Sequence, residues 1–289
     1  MTYFSASPIW FIALSSLFGL IIGSFLNVII VRLPKIMENQ WRQELRNCFP
    51  SEVSESQEPV LSLSLPRSHC PHCQTPLRIR DNIPLISFLC LRGRCHACRS
   101  KISWRYPLVE GISAMLTLAI FLKYDWTLLA FAYCGVIYSL LVLALIDWDT
   151  FLLPDTITLP LMWAGLLAAY LGISPVSLEH ALLGAMAGYL VLWTLYWAFK
   201  LITGKEGLGY GDFKLLAALG AWVGSLYLLP ILLIASFSGL FLALILLRKH
   251  QGDIQQPMPF GPSLAFAGAL LLLWGEDIVS AYTHLILGY

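Results

Sequence analysis

"LLAFAYCGVIYSLLVLALIDWDTFLLPD", Leu128 to Asp155, runs nineteen residues without a charge and then places three carboxylates within nine positions. A helix of about 20 apolar residues spans the roughly 30 Å hydrocarbon core of a bilayer. An acid at the edge of such a run is expensive and marks a use. The stretch therefore reads as a membrane span, with Asp147, Asp149 and Asp155 set where it leaves the membrane. The rest of the chain repeats the pattern. It is 58% hydrophobic and 12% charged, where a soluble domain carries about 25% charged residues. Spans are expected at 9–31, 106–123, 127–147, 156–172, 179–199, 212–224, 226–247 and 263–284. The fold class is thus an all-α polytopic membrane protein of about eight transmembrane helices. The sixth is short enough to be re-entrant.

Charge placement orients it. Of 18 Lys and Arg residues, twelve lie between Arg32 and Arg105. Lys200, Lys205 and Lys214 flank the connection between spans five and six, and Arg248 and Lys249 follow span seven. With eight spans all of these share one side and Lys123 alone lies on the other. Cationic loops stay in the cytoplasm, so both termini are expected to face out, on the opposite side of the membrane. "MTYFSASPIW" lacks the basic start of a cleavable signal and reads as the beginning of a retained anchor. The expected division is a first transmembrane helix over 1–32, a cytosolic loop over 33–104, and a helical bundle over 105–289. A net charge of +1 offers nothing to nucleic acid.

The loop begins polar, with one short helix expected near Trp41–Cys48, and then carries "CPHC" and "CHAC". Cys70 and Cys73, then Cys95 and Cys98, form two C-x-x-C knuckles 21 residues apart, over a module of about 66–104. Each knuckle presents two thiolates at one bend, which suits one tetrahedral Zn²⁺. Disulfides would need an oxidising compartment, and the charge rule puts the loop in a reducing one. Four thiolates leave no open position for water, so the zinc reads as structural. His72 and His96 are possible substitutes for a thiolate; Cys48, Cys90 and Cys134 are left over.

The orientation brings Asp147, at the end of span three, and Asp212, at the start of span six, to the same cytosolic boundary. Two facing carboxyls cannot both ionise cheaply and share a proton. One then activates a water while the other polarises a carbonyl, the logic of an aspartic protease. Residues two apart on a helix point in nearly opposite directions, so Asp147 and Asp149 do not both face one partner. Asp147 belongs to the last apolar turn; Asp149 is either solvated or a support. Asp155 follows Pro154, where a helix cap is expected. In "GYGD", Gly209 and Gly211 permit unusual backbone geometry and close approach by another chain. Glu110 reads as an ion-pair partner of Arg105, and Lys214 as a residue reaching for the interface. Gly19, Gly23 and Asn27 read as helix-packing residues, with a second reading as part of a groove for a substrate helix.

Together, "GSFLNVIIVRLP", "CPHC" with "CHAC", "LRGRC", "RYPLVE", "IDWDTFLLPDTITLP" and "GYGDFK" resemble the type IV prepilin peptidase family, over roughly 19–34 and 66–214. The resemblance implies a membrane aspartic protease of the G-x-G-D kind. It would cut the basic leader of prepilins and pseudopilins after a glycine and then methylate the new N-terminus. It maps the catalytic aspartates onto Asp147 and Asp212, and zinc ligands onto Cys70, Cys73, Cys95 and Cys98. It also implies S-adenosylmethionine as methyl donor, with no glycine-rich fingerprint to mark its site. The substrates serve either pilus assembly or type II secretion. The rival from another class is a proton-coupled transporter using the same acids, although they sit at one face rather than at mid-depth. A scaffold docking partners through the zinc module would leave the aspartates without a purpose.

Overall fold

The computed structural model of the chain describes residues 8–49, 61–205, 207–249 and 258–287. Among them are nine α-helices: α1 (Ile9–Cys48), α2 (Ile86–Cys90), α3 (Arg105–Tyr124), α4 (Leu128–Thr150), α5 (Asp155–Tyr170), α6 (Leu178–Thr203), α7 (Tyr210–Val223), α8 (Leu228–Lys249) and α9 (Gly261–Leu287). The chain divides into two compact units, Met1–Trp126 and Thr127–Tyr289.

In the first unit α1 and α3 pack along their length. Small residues set the distance. A Cβ on Gly19 would lie 2.7 Å from Ala114 Cα, and one on Gly23 would lie 2.8 Å from Glu110 Cα. Ser113 Oγ donates to Gly19 O at 2.7 Å and Asn27 Nδ2 to Tyr106 O at 3.1 Å. The packing reading of Gly19, Gly23 and Asn27 therefore holds. The groove reading does not, because α3 already fills that face. The loop also differs from expectation. Instead of a short helix near Trp41–Cys48, α1 continues unbroken to Cys48 through Pro34. The segment is rich in strong helix formers such as Leu, Met, Glu, Gln and Arg, and Arg42 pairs with Glu38 one turn earlier at 2.7 Å. Arg32 then ties the returning chain to α1, donating to the carbonyls of Ser62, Leu63 and Pro66.

The second unit is built around α7. Every residue from Asp212 to Val223 except Lys214 is buried, as expected of a helix apolar on all sides. Around it pack α5, α6 and α9, with α4 and α8 against α9. The contact with α6 is backbone on backbone: a Cβ on Gly184 would collide with Gly220 O, and one on Gly188 would lie 2.7 Å from Leu216 O. Trp222 Nε1 donates to Leu161 O on α5 at 2.9 Å. Outward, α8 turns Leu229, Leu233, Phe237, Leu240, Phe241 and Leu244 to the surface. So large an exposed apolar face belongs in lipid. Gly220→Leu is expected to lower the melting midpoint in detergent by roughly 5–10 °C, from an overpacking cost of about 1–3 kcal/mol. Gly111→Ala, whose Cβ would meet nothing within 4 Å, is expected to leave it unchanged. Equal midpoints for both variants would refute the tight α6–α7 seam.

The chain is a multi-pass membrane protein. Among the described residues, five stretches are long and apolar enough to cross a bilayer: α1, α3, α4, α6 and Ser225–Ile245, which takes in most of α8. The 14 residues of α7 and the 16 of α5 reach about 21 and 24 Å at 1.5 Å per residue, less than the roughly 30 Å hydrocarbon core.

Candidate functional site

Thr127 caps α4, accepting from Ala130 N at 3.2 Å, and the helix ends where Phe151 turns left-handed and donates its N–H to Asp147 O at 2.9 Å. That final turn separates the acids. Asp147 is 5% exposed, packed beside Ile146, whereas Asp149 faces outward. Asp147 Oδ2 accepts a hydrogen bond from the backbone of Gly261, the first residue of α9, at 2.9 Å.

Asp212 is 6% exposed, in the first turn of α7. Its Oδ2 accepts from Gly209 N at 3.2 Å, and its own N–H returns to Gly209 O. The carboxylate thus closes the start of its helix, where the dipole also favours negative charge. Gly209 has an ordinary extended backbone, with φ −81 and ψ 146. Gly211 carries the steric requirement instead, since a Cβ there would lie 2.6 Å from Leu153 Cβ. Leu153 also approaches Gly261, whose own added Cβ would come within 3.2 Å of it and 2.6 Å of Asp147 Oδ2. One leucine therefore gathers the end of α4 and the starts of α7 and α9. Through Leu153, the Asp147 carboxylate and the first turn of α7, which carries Asp212, come to one place.

Two neighbouring expectations change. Asp155 does not cap α5; Pro154 holds that position. Asp155 instead receives Lys214 Nζ at 2.8 and 2.6 Å on its two oxygens, so Lys214 has a protein partner. The pair is partly exposed, at 29% and 52%, and pairs of that kind contribute about 0.2–1 kcal/mol. Asp155→Ala is expected to lower the melting midpoint by at most about 3 °C. A loss as large as that of Gly220→Leu would show the pair to be far more than a surface tether. In the first unit, Glu110 is 8% exposed and accepts the Leu85 N–H at 2.9 Å.

The cysteines form a second site. Each knuckle closes identically: Cys70 N donates to Thr75 O and Gln74 N to Cys70 O, while Cys95 N donates to Ser100 O and Arg99 N to Cys95 O. Gln74 and Arg99 take matching left-handed φ of 57 and 59. The four Sγ atoms lie within 4.8 Å of one another, with Cys70–Cys98 at 3.8 Å and Cys73–Cys95 at 4.0 Å. A metal with four sulfurs at about 2.3 Å requires sulfur–sulfur edges of about 3.8 Å, so the cluster fits a tetrahedral ion. All four thiols are free. Backbone N–H groups of Cys73 and His72 draw the Cys70 thiol down to about 6, and the Ser100 hydroxyl and N–H hold Cys98 below its ordinary value. Donors aimed at sulfur favour the thiolate a metal binds. His72 is exposed and His96 Nδ1 lies 3.0 Å from Asp81 Oδ2, so the four-cysteine set stands without them. Cys134 is buried in α4; Cys48 and Cys90 are exposed.

Sequence reasoning missed Gly261 and Leu153. The break "PMPFGP" before the last helix was their one local signal, and nothing in it points to residue 147.

Residues 17–124 match the model of the bacterial peptidase A24 N-terminal domain, and residues 134–244 that of the type IV leader peptidase family. A prepilin leader peptidase/N-methyltransferase of Aeromonas hydrophila is 52% identical over 95% of this chain and 94% of its own length. Proteins of the same name from Dickeya chrysanthemi and Pseudomonas aeruginosa are 49% and 46% identical, over 96% and 98% of this chain and 96% and 97% of their own lengths. No solved structure matches the chain. Two family models laid end to end and relatives alike over nearly the full length lead to one conclusion: the chain belongs to the type IV prepilin leader peptidase/N-methyltransferase family.

Proposed function

We propose that the protein cuts the leader from prepilins or pseudopilins with Asp147 and Asp212 as its catalytic pair and then methylates the new N-terminus. The observation that carries the peptidase reading is the meeting of these two buried acids, each with one oxygen held by a backbone N–H, from Gly261 and from Gly209. A backbone donor to a carboxylate fixes its orientation at low entropic cost, leaving the second oxygen of each for water and substrate. One carboxylate takes a proton from water as the water oxygen attacks the carbonyl carbon of the leader's last glycine. The other, protonated, hydrogen-bonds the carbonyl oxygen as charge develops there. Collapse breaks the C–N bond, and the proton passes to the departing amine. Asp149 remains a support at most, and Gly211 keeps Leu153 against the pair.

The chemistry fits the setting. A prepilin leaves its apolar helix in the membrane and its basic leader in the cytoplasm, so the scissile bond lies at the depth proposed for the pair. The arrangement behind this is eight membrane-embedded helices, α7 and α5 short among them, with termini in the periplasm and the cysteine module in the cytosol. All the basic loops then fall on one side. Cys70, Cys73, Cys95 and Cys98 hold one structural zinc ion, soft thiolates in tetrahedral array being its usual ligands. S-adenosylmethionine supplies the methyl group.

The test is incubation of the purified full-length protein in detergent with a full-length prepilin and S-adenosylmethionine. Mass spectrometry is expected to show loss of the leader after glycine and a further methyl on the product. Intact prepilin after prolonged incubation with well-folded protein, across several substrates, would overturn the reading.

A further inference from the structure

Between Asp81 and Glu110 the chain carries five cations and no acid. A cavity of about 430 Å³ opens on this stretch, lined by residues from Phe88 to Trp104, within the roughly 300–1,000 Å³ of pockets that hold small ligands. It lies between α2, the turn that follows it and the returning arm of the second knuckle. Arg92, Arg94 and Lys101 line it and are exposed. Backbone geometry fixes them there. Arg94 and Lys101 form an antiparallel bridge, flanked by Cys95 N–H to Ser100 O at 2.9 Å and Ile102 N–H to Gly93 O at 2.8 Å, so their side chains stand opposite each other. Like charges opposed in that way are destabilising. Arg92 enters from a left-handed turn, at φ 51. Among the described residues, no carboxylate pairs with any of the three.

The rest of the wall is apolar and turned outward. Trp104 is 73% exposed and Leu89 70%, and Trp104 meets Phe88 edge to face with ring centroids 4.8 Å apart. Trp104 is also the last residue before α3, which is long and apolar enough to cross a bilayer. A tryptophan at such a boundary sits at the level of the lipid headgroups. We propose that this basic cavity binds the phosphate of an anionic lipid of the membrane the chain spans, and so holds the cysteine module against that membrane. Guanidinium groups grip phosphate through paired hydrogen bonds, and the phosphate relieves the opposed charges of Arg94 and Lys101. Leu89 and Trp104 then face the upper part of the acyl chains. The assignment is independent of the peptidase reading.

The experiment uses full-length protein in a neutral detergent, with a photoactivatable phosphatidylglycerol titrated into the micelles and the labelled peptides mapped. Wild type is expected to show saturable labelling of peptides within 86–104. Lys101→Gln is expected to weaken that binding about fivefold, and Arg92→Asn, Arg94→Gln and Lys101→Gln together about a hundredfold. Asparagine is chosen at 92 because it tolerates left-handed backbone. Arg94 adjoins a cysteine of the cluster, so Lys101→Gln alone, at an unchanged melting midpoint, decides the matter if the triple variant misfolds. No saturable label within 86–104, equal labelling there by a photoactivatable phosphatidylcholine, or wild-type binding by Lys101→Gln overturns the assignment. Displacement of the lipid by equimolar inorganic phosphate would make free phosphate the ligand, and displacement by prepilin would make this a substrate surface; either overturns it. In phosphatidylcholine vesicles, added phosphatidylglycerol is expected to slow chymotryptic cutting at Trp104 several-fold, and equal rates would refute the anchoring.

Discussion

Asp147→Asn and Asp212→Asn are each expected to reduce prepilin cleavage by about 10³-fold or more, the scale of a general acid or base acting at the reacting atoms. Asparagine keeps the shape and still accepts the backbone hydrogen bonds from Gly261 and Gly209, so the helices should stay in place and the loss falls on proton transfer. Asp149→Asn, on the exposed side of the same turn, is expected to stay within about threefold of wild type. A gel time course of leader removal, with melting midpoints for each variant, reads all three. Substantial cleavage by Asp147→Asn alongside a dead Asp149→Asn would transfer the role to Asp149.

The second large effect concerns the metal. Elemental analysis of the purified protein is expected to find one zinc per chain, and Cys95→Ser to leave less than about a tenth of that. Structural zinc in small Cys and His modules is held by about 10–16 kcal/mol, and removing one of four ligands breaks a closed shell. Among the described residues of 66–104 the buried hydrophobes are Cys70, Phe88 and Cys95 alone. Stripping the ion is therefore expected to make 66–104 sensitive to limited proteolysis while the α4–α9 bundle resists it. One zinc per chain persisting in Cys95→Ser would show that the four sulfurs are not the binding set. An unchanged digestion pattern after stripping would show that the knuckles stand without metal.

The chain's local chemistry marked much of this beforehand. Nineteen uncharged residues before Asp147 require a membrane helix whatever follows, because the bilayer admits no other single-chain solution to its backbone polar groups. Two C-x-x-C pairs describe a metal site within themselves, since each bend needs few neighbours. The acids and the glycines of "GYGD" could be named for similar reasons: an intramembrane charge and a paired glycine are both costly enough to stand out. The seam of Gly184 against Gly220 and Gly188 against Leu216 was written at spacing four, yet its partner helix was not.

Tertiary structure decided what depends on distant neighbours. It buried Asp147 and exposed Asp149, a choice resting on Gly261, 114 positions away. It gave Gly19 and Gly23 to α3, leaving no groove, and gave Asp155 to Lys214, leaving the cap to Pro154. It ran α1 unbroken to Cys48, where a polar loop with one short helix had been expected. Composition and periodicity record what each segment tolerates in water, lipid or a turn. Which tolerated contact forms is settled only when several helices compete for the same surface, and close packing leaves room for one arrangement.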